Sequence, residues 1–342
     1  MVLACGGDTA SAGSHRAPQL VEIANKPVLV HALDALADAG IERVAIAVDG
    51  ETSGPVRRAI GEGVSVGVRI DYLDVPQSTT LAEAACRSRS IFPQAGRLAA
   101  LGGGILKRGL RDHLVALTGG EVDALALAPR SRTGAFSARA AERAGGRSWG
   151  GADLDATGVL LFGPRCLELV DHVGSPSGGM GVAQLFHRLV EHDARARAHE
   201  VDDWWTLELA ASSLLAANRL LLEGLGEDMA ASAEADVTVH GPVAVHESAA
   251  LESVVLRGPV MIGPGARVRH AYIGPYTSIG SDVVVEGAEI EHSLVQREAS
   301  IKHVRRRLEG CVIGPRARVG TSLGLPTGLH LAIGEGAEVM LA

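Results

Sequence analysis

The stretch YIGPYTSIGS, residues 272–281, contains the pair Ile273-Gly274 and, six residues later, the pair Ile279-Gly280. A spacing of six matches neither the helix period of about 3.6 nor the strand alternation of about 2, so it indicates a chain that coils over itself. Fuller copies of the pattern are IGPGARV (262–268), IGSDVVV (279–285), IGPRARV (313–319) and IGEGAEV (333–339). In hexapeptide β-helices the aliphatic residue points into a narrow prism and glycine takes a corner where a Cβ would clash. We therefore predict a β-helix over residues 234–342.

Length and composition limit the class of protein. The 342 residues leave room for two domains, and 46% apolar residues with 3% aromatics favour aliphatic cores. No apolar run reaches the roughly 18 residues of a membrane span, and the first residues do not resemble a signal peptide, so we expect a cytoplasmic protein without a membrane partner. A net charge of −8 argues against nucleic acid as a partner.

The cysteines and lysines are sparse. Cys5, Cys86, Cys166 and Cys311 show neither metal-site nor regular spacing, which predicts isolated core thiols. Lysine is rarer still, with only Lys26, Lys107 and Lys302 among 32 basic residues. A reaction that requires a lysine in the residues before the β-helix could therefore use only Lys26 or Lys107.

The first 226 residues alternate short aliphatic runs with helical stretches. We predict strands at MVLAC, RVAIAV, VRIDYL, RLAAL and DALALA, and helices over NKPVLVHALDALADAG (25–40), near 55–60, from Leu81 and from Lys107. This alternation is typical of a parallel sheet covered by helices on both faces. Ligands of such sheets bind beyond the carboxyl ends of strands, here the loops 5–9, 74–80 and 102–104. A further helix near 207–224 leads to the β-helix.

Four segments resemble one known family. They are QLVEIANKPVL (19–29), ATGVLLFGP (156–164), NRLLLEGL (218–225) and the stretch 258–295. The chain resembles the long form of glucose-1-phosphate thymidylyltransferase, within the sugar-1-phosphate nucleotidylyltransferases. The resemblance implies an open, mixed α/β sheet in residues 1–226 and a left-handed β-helix in 234–342. It also implies a reaction in which a sugar phosphate attacks the α-phosphate of a nucleoside triphosphate, assisted by Mg²⁺ on aspartates.

The charged parts of the family's site are missing at the matching positions. The family's opening glycine loop appears as LACGGDTASAG (3–13), with Ala10 at its arginine position, and Pro18 stands where the family has lysine. Gly103 and Leu207 occupy the two metal-binding aspartate positions, and the EKP segment is absent from 145–155. These departures predict that no metal is bound.

The positions that contact the base and the sugar in the family also carry different residues in this chain. In the base-binding loop Val75 replaces a glutamine and Thr80 a glycine, and Gly181 replaces a glutamate that precedes a helix. Weak contacts remain possible at a few positions. For the nucleotide these are Ala4, Gly6, Gly7 and Arg16, and for the sugar phosphate Gly102 and Gly158.

Three functions follow from these patterns. The first is a catalytically inactive family member without a cofactor, forming a homo-oligomer or a hetero-oligomer with an active paralogue and retaining a nucleotide or sugar-phosphate ligand at most. The second is a divergent active enzyme of nucleotide-sugar synthesis, with Mg²⁺ on relocated carboxylates such as Asp8, Asp202 or Asp203 and Arg16 in place of the lysine. The third is a β-helix acyltransferase with a histidine base, for which the candidates are His240, His246, His270, His292 and His303.

Overall fold

The structure is a computed structural model. It describes residues 2–4, 17–63, 67–93, 98–102, 104–106, 110–117, 122–129, 159–173, 180–201, 204–226, 236–321 and 329–332.

The chain forms two compact units whose boundary differs from the sequence prediction. The first contains residues 15–20 and 28–207 together with the N-terminal strand, and the second contains 21–27 and 208–342. The sequence boundary at residue 226 placed 21–27 and 208–226 with the α/β domain. In the structure, both segments instead cluster with the β-helix.

The first unit is built on a seven-stranded sheet with the order β10-β8-β9-β6-β1-β4-β5. Its strands are β1 (Val2–Ala4), β4 (Arg43–Val48), β5 (Arg69–Asp74), β6 (Leu98–Leu101), β8 (Ala124–Pro129), β9 (Val159–Phe162) and β10 (Ala196–Val201). Neighbouring strands are parallel except β9, which runs antiparallel to both β6 and β8. Strands β6 and β9 are buried along their whole length, as expected where helices cover both faces. The predicted open, mixed α/β sheet is confirmed.

Six helices among the described residues of the first unit cover the two faces of this sheet in separate apolar clusters. They are α1 (Val28–Asp38), α2 (Ser53–Ile60), α3 (Leu81–Arg87), α4 (Leu110–Ala116), α5 (Pro164–Val173) and α6 (Val182–Glu191). One cluster contains residues of α3, α5 and α6, and the other contains residues of α1, α2 and α4. A short pair outside the main sheet, β7 (Gly104–Leu106) and β11 (Trp204–Thr206), is antiparallel. No helix that the structure describes is both long and apolar enough to cross a membrane.

The second unit is dominated by a left-handed parallel β-helix of about five turns. Its strands are β12 (Val237–His240), β13 (Val243–Val245), β14 (Ala250–Arg257), β15 (Val260–Ile262), β16 (Arg267–Ile273), β17 (Thr277–Ile279), β18 (Val284–Glu286), β19 (Glu289–Glu291), β20 (Leu294–Val295), β21 (Ser300–Lys302), β22 (Leu308–Glu309), β23 (Val312–Ile313), β24 (Arg318–Thr321) and β25 (Leu329–Ala332). Strands one turn apart pair in parallel, as Val260 with Thr277, and the last strand, β25, pairs antiparallel with β24. Strands β14 and β16 bend at Ser253 and His270, whose φ values are positive, so each contributes to two faces.

The described repeats that suggested the β-helix form its core, whereas IGEGAEV (333–339) lies outside the described residues. Val260, Val268, Ile273, Ile279 and Ile290 are fully buried and belong to one apolar cluster. Gly263 stacks on Gly280, where an added Cβ would lie 2.9 Å from the Gly280 carbonyl carbon. The interpretation of the Ile-Gly pairs as an inward residue followed by a tight corner is confirmed.

Outside the β-helix, the described part of the second unit includes a hairpin and a helix. Strands β2 (Glu22–Ile23) and β3 (Lys26–Pro27) are joined by Ala24 and Asn25, both with positive φ, as in a two-residue hairpin turn. Helix α7 (Ala211–Leu222) packs on β17, β20 and β23. The sequence predicted that a helix would start at Asn25, but α1 starts at Val28 because residues 22–27 form the hairpin.

Candidate functional site

The carboxyl ends of four strands meet at one edge of the first unit's sheet. Strand β1 is parallel to β4 and β6, and β4 is parallel to β5, so their ends lie on the same side. Leu3 pairs with Leu101, and the residues that directly follow this pair are Ala4, the last of β1, and Gly102, just after β6. Two of the predicted ligand positions are therefore neighbours. Gly6, Gly7, Arg16, Gly103 and Gly158 lie outside the described residues.

The two positions assigned to metal-binding aspartates adjoin, in sequence, the two strands of one antiparallel pair. In the β7–β11 ladder, Gly104 is opposite Thr206 and Ile105 opposite Trp205. Leu207 directly follows Thr206, and Gly103 directly precedes Gly104 in sequence. Ile105 and Trp205 are buried. The β7–β11 pair thus brings together the two chain segments that, by the family resemblance, would each supply an aspartate to one metal site.

The described residues here do not suit Mg²⁺. Leu207 is half-buried and its side chain offers no oxygen in place of the carboxylate, whereas Mg²⁺ takes oxygen ligands. Within the described ranges, no group of three or more His, Cys, Asp or Glu side chains could hold a metal ion. Asp8, Asp202 and Asp203, the alternative carboxylates, lie outside those ranges. The described residues of this edge therefore offer no metal-assisted step.

After the loop that follows β5, hydrogen bonds join the start of α3 to the segment before α6. We call this set of bonds, formed by Thr80, Glu83 and Met180, the clamp. Thr80 caps α3: its Oγ1 accepts the Glu83 N–H at 3.2 Å, and a Glu83 carboxylate oxygen accepts the Thr80 N–H at 3.1 Å. The same two side chains hold Met180, because Thr80 Oγ1 donates to its carbonyl at 2.6 Å and Glu83 accepts its N–H at 3.2 Å. Glu83 and Met180 are each 6% exposed.

This clamp uses groups that would otherwise be available to a ligand. Helix N-termini bind anions through unpaired N–H groups, but those of Thr80 and Glu83 are taken by the capping box. Val75, at the family's glutamine position, is buried in the apolar cluster. The pattern T-x-x-E could have revealed the capping box from sequence, whereas nothing in the sequence indicated Met180.

Two further carboxylates at this edge are engaged locally. Buried Asp49, after β4, accepts the N–H groups of Glu51 and Thr52 through Oδ1 at 3.0 and 2.8 Å, and also the Thr52 hydroxyl. Asp74, at the end of β5, binds Arg57 through both carboxylate oxygens. Both therefore stabilise the loops and helix α2 at the strand ends.

The clearest pKa perturbations lie away from this edge. Asp123, before β8, accepts hydrogen bonds from Arg195 Nε and Nη2 at 3.0 Å, and these hold the pKa of the Asp123 carboxyl below its usual range. Burial raises the pKa of the Cys166 thiol to about 12, which fits the predicted inert core thiol. Cys86 and Cys311 are half-buried and form no disulfide with another described residue, and Cys5 lies outside the described residues.

The histidines of the acyltransferase hypothesis are spread over the β-helix. His270 and His303 occupy one corner, two turns apart, and His292 lies at another corner with its ring 5.4 Å from that of Tyr276. His246 bonds Ser248 at 2.9 Å in an early turn. His240, at the end of β12, is exposed. The structure does not assemble these side chains into a single site.

Comparison with known proteins gives consistent matches. A nucleotidyl transferase family model matches residues 13–116. A glucose-1-phosphate thymidylyltransferase of Streptomyces antibioticus is 30% identical over 94% of this chain and 93% of its own, and one of Streptomyces griseus is 31% identical over 95% and 94%. A low-salt glycan biosynthesis nucleotidyltransferase of Haloferax volcanii is 30% identical over 96% of this chain and 95% of its own.

A solved structure supports the fold. The crystal structure of a Bacillus anthracis protein provisionally assigned as a glucose-1-phosphate thymidylyltransferase superposes with a TM-score of 0.50. It covers 60% of this chain and 88% of its own, at 14% identity.

Proposed function

Because the chain belongs to the sugar-1-phosphate nucleotidyltransferase family, we propose that it is a non-catalytic member that regulates or stabilises an active relative. The observation that carries this proposal is Leu207, an aliphatic side chain beside the β7–β11 ladder where the family resemblance requires a metal-binding aspartate. The capping box of Thr80 and Glu83 adds support, because it takes up the N–H of Thr80, a position that the family resemblance places in the base-binding loop.

The chemistry explains why these changes matter together. Phosphoryl transfer depends on positioning and on neutralising charge, and a metal ion contributes several kcal/mol to it. Since about 1.4 kcal/mol corresponds to tenfold in rate, losing the metal ligands and the cationic residues together leaves little turnover.

A second candidate function is a divergent but active transferase. The observation in its favour is the match, over nearly full length, to proteins named glucose-1-phosphate thymidylyltransferase. In that case Mg²⁺ would be held by carboxylates such as Asp8, Asp202 or Asp203, and Arg16 would replace the lysine. The product would be a nucleotide sugar for deoxysugar or antibiotic synthesis.

We expect the protein to act in the cytoplasm and to bind its partner through the β-helix. The intact aliphatic core of residues 260–290 keeps the outer faces flat and rigid, which suits association without any catalytic residue. We propose a homo-oligomer, or a hetero-oligomer with an active paralogue, assembled partly through residues 234–342. Light scattering of the full chain, alone and co-expressed with a paralogue, tests this. A protein that stays monomeric and binds no paralogue contradicts it.

Pyrophosphate release decides between the two functions. The purified full chain is incubated with Mg²⁺, dTTP and glucose-1-phosphate, beside an active relative as the control. We expect no release above background. Turnover within about a hundredfold of a typical 10 per second would establish the divergent enzyme instead.

A further inference from the structure

One face of the β-helix presents its outward side chains in two columns. The strands of this face stack in parallel, because Val255 pairs with Tyr272 and Tyr272 pairs with Glu289. The first column is Thr238, Val255, Tyr272 and Glu289, and the second is His240, Arg257, Gly274, Glu291 and Glu309. We name this surface the open face; it comprises residues 238–240, 255–257, 272–274, 289–291 and 308–309.

The middle of the open face is flat and held in place. A Cβ on Gly274 would lie 2.9 Å from Tyr272 Cε1, so the absence of that carbon lets the Tyr272 ring lie along the face. The Arg307 guanidinium lies 5.2 Å from the centre of this ring and binds Glu289 at 3.0 Å. Beside Tyr272, the side chain of Val255 is 39% exposed, unusually high for a large apolar residue of this chain. An aromatic ring and an aliphatic side chain on a rigid sheet suit burial against another protein surface.

The two ends of the open face carry opposite charges. Arg257 lies at one end and Glu309 at the other, three turns of the β-helix away, and both are exposed. Neither forms an ion pair with another described residue. Glu291, which lies between them, is already bound by Arg307 at 3.1 Å. The positive and the negative charge that remain for a partner are therefore about 14 Å apart, at about 4.8 Å for each turn.

We propose that the open face binds the same face of a second copy of this chain, with the two β-helices antiparallel. A two-fold axis that runs along the strands, midway between Arg257 and Glu309, sets each of these residues opposite the other residue of the second copy. The two ion pairs then flank a centre in which Tyr272 and Val255 are covered. A parallel arrangement lacks this match, because it sets Arg257 opposite Val255 of the second copy. The inference rests on the assembly proposed above through residues 234–342 and names its face and its partner.

The test is sedimentation velocity of the full chain at about 5–500 µM protein and about 50 mM salt. A single face is smaller than the roughly 800 Å² per partner of a standard interface, so we expect a weak dimer with a dissociation constant of about 10–100 µM. Arg257→Glu and Glu309→Arg should each weaken it at least about tenfold, because each sets like charges opposite one another twice. The matched control is Arg267→Glu, which reverses an exposed arginine on another face and should stay within about threefold of the natural protein.

Mixing the two variants gives the sharper result. When Arg257→Glu and Glu309→Arg are combined in equal amounts, each contact between the two kinds of copy again joins opposite charges. Dimers should therefore return, with a dissociation constant within about threefold of the natural value. A variant that had merely unfolded could not recover in this way.

Three results would overturn the proposal. A chain that stays monomeric at about 500 µM does not associate through this face. Dimers that ignore both charge reversals have their interface elsewhere. Variants that stay monomeric when mixed show that Arg257 and Glu309 do not meet. None of these results bears on pyrophosphate release or on binding to an active paralogue, so a failure here is distinguishable from a failure of the proposed function.

Discussion

Asn218 Oδ1 accepts the backbone N–H of Ala24 at 3.1 Å across 194 positions of sequence. The same oxygen accepts the Ser278 hydroxyl at 2.6 Å, and Asn218 Nδ2 donates to the Tyr276 carbonyl at 3.1 Å. Asn218 is fully buried in α7. One amide therefore ties the hairpin of residues 22–27 and α7 to the β-helix.

Replacing this amide should destabilise the second unit. In Asn218→Ala the Ala24 N–H, the Ser278 hydroxyl and the Tyr276 carbonyl lose their shared partner, so we expect a loss of about 2–4 kcal/mol in the free energy of unfolding. Urea denaturation measures the loss, and hydrogen exchange at the Ala24 amide locates it. Arg219→Ala is the adjacent control, since it removes surface contacts only, the exposed pair with Glu223 and the packing of its guanidinium on the Tyr276 ring, and should cost much less. Equal losses in both variants would contradict the assignment.

A side chain at Gly280 should distort the β-helix. An added Cβ would lie 2.8 Å from the Arg297 nitrogen and 2.9 Å from the Val295 oxygen, both backbone atoms that cannot easily move. We expect Gly280→Ala to lower the free energy of unfolding by about 1–3 kcal/mol, whereas Gly226→Ala, with no atom within 4 Å of its Cβ, should change it little. Urea denaturation of the two variants provides the comparison. If Gly280→Ala leaves the free energy of unfolding unchanged, the corner at Gly280 has more room for a side chain than the backbone distances indicate.

The bond between Asp123 and Arg195 should make stability depend on pH. The carboxyl pKa is lowered in the folded protein, chiefly by the hydrogen bond from Arg195, so its contribution is complete above the unfolded value of about 3.9. It is lost as the pH falls below that value through the folded pKa. We expect Asp123→Asn to cost about 1–2 kcal/mol at neutral pH, since Arg195 is half-exposed, with a smaller difference near pH 3.

Unfolding at both pH values tests this prediction. Asp71→Asn is the matched control, because its pair with Arg43 is more exposed and should contribute little. A difference for Asp123→Asn that grows on acidification would refute the expected sign.

Restoring the two metal-position aspartates should not restore catalysis. Gly103→Asp/Leu207→Asp supplies carboxylates, but Ala10 and Pro18 still leave the phosphates without cationic partners. We expect no Mg²⁺-dependent pyrophosphate release, with circular dichroism to verify that the variant is folded. Detectable Mg²⁺-dependent turnover would mean that other residues supply the cations.

Several features of the candidate site were predictable, because the carboxyl ends of parallel strands lie at the same edge of a sheet. The alternation of strands and helices predicted the loops after β1, β5 and β6, and in the structure Ala4 and Gly102 directly follow the pair of Leu3 and Leu101. The glycines and Arg16 proposed for ligand contact remain predictions. The clamp on Met180 could not be predicted, since Thr80 and Met180 are 100 positions apart and no periodic pattern relates them.

The sequence by itself determined the β-helix, because turns pair with copies about 17 residues away and an inward aliphatic residue recurs, with a corner glycine after Ile262, Ile279 and Ile313. It also determined the layers of the first unit, a sheet covered by helices on both faces, through buried aliphatic strands such as RVAIAV. Only the tertiary structure decided that residues 22–27 form a hairpin instead of the first turns of α1. The physical reason is that Ala24 and Asn25 take up positive φ values within a unit where a buried amide, Asn218, binds the Ala24 N–H from a distant helix.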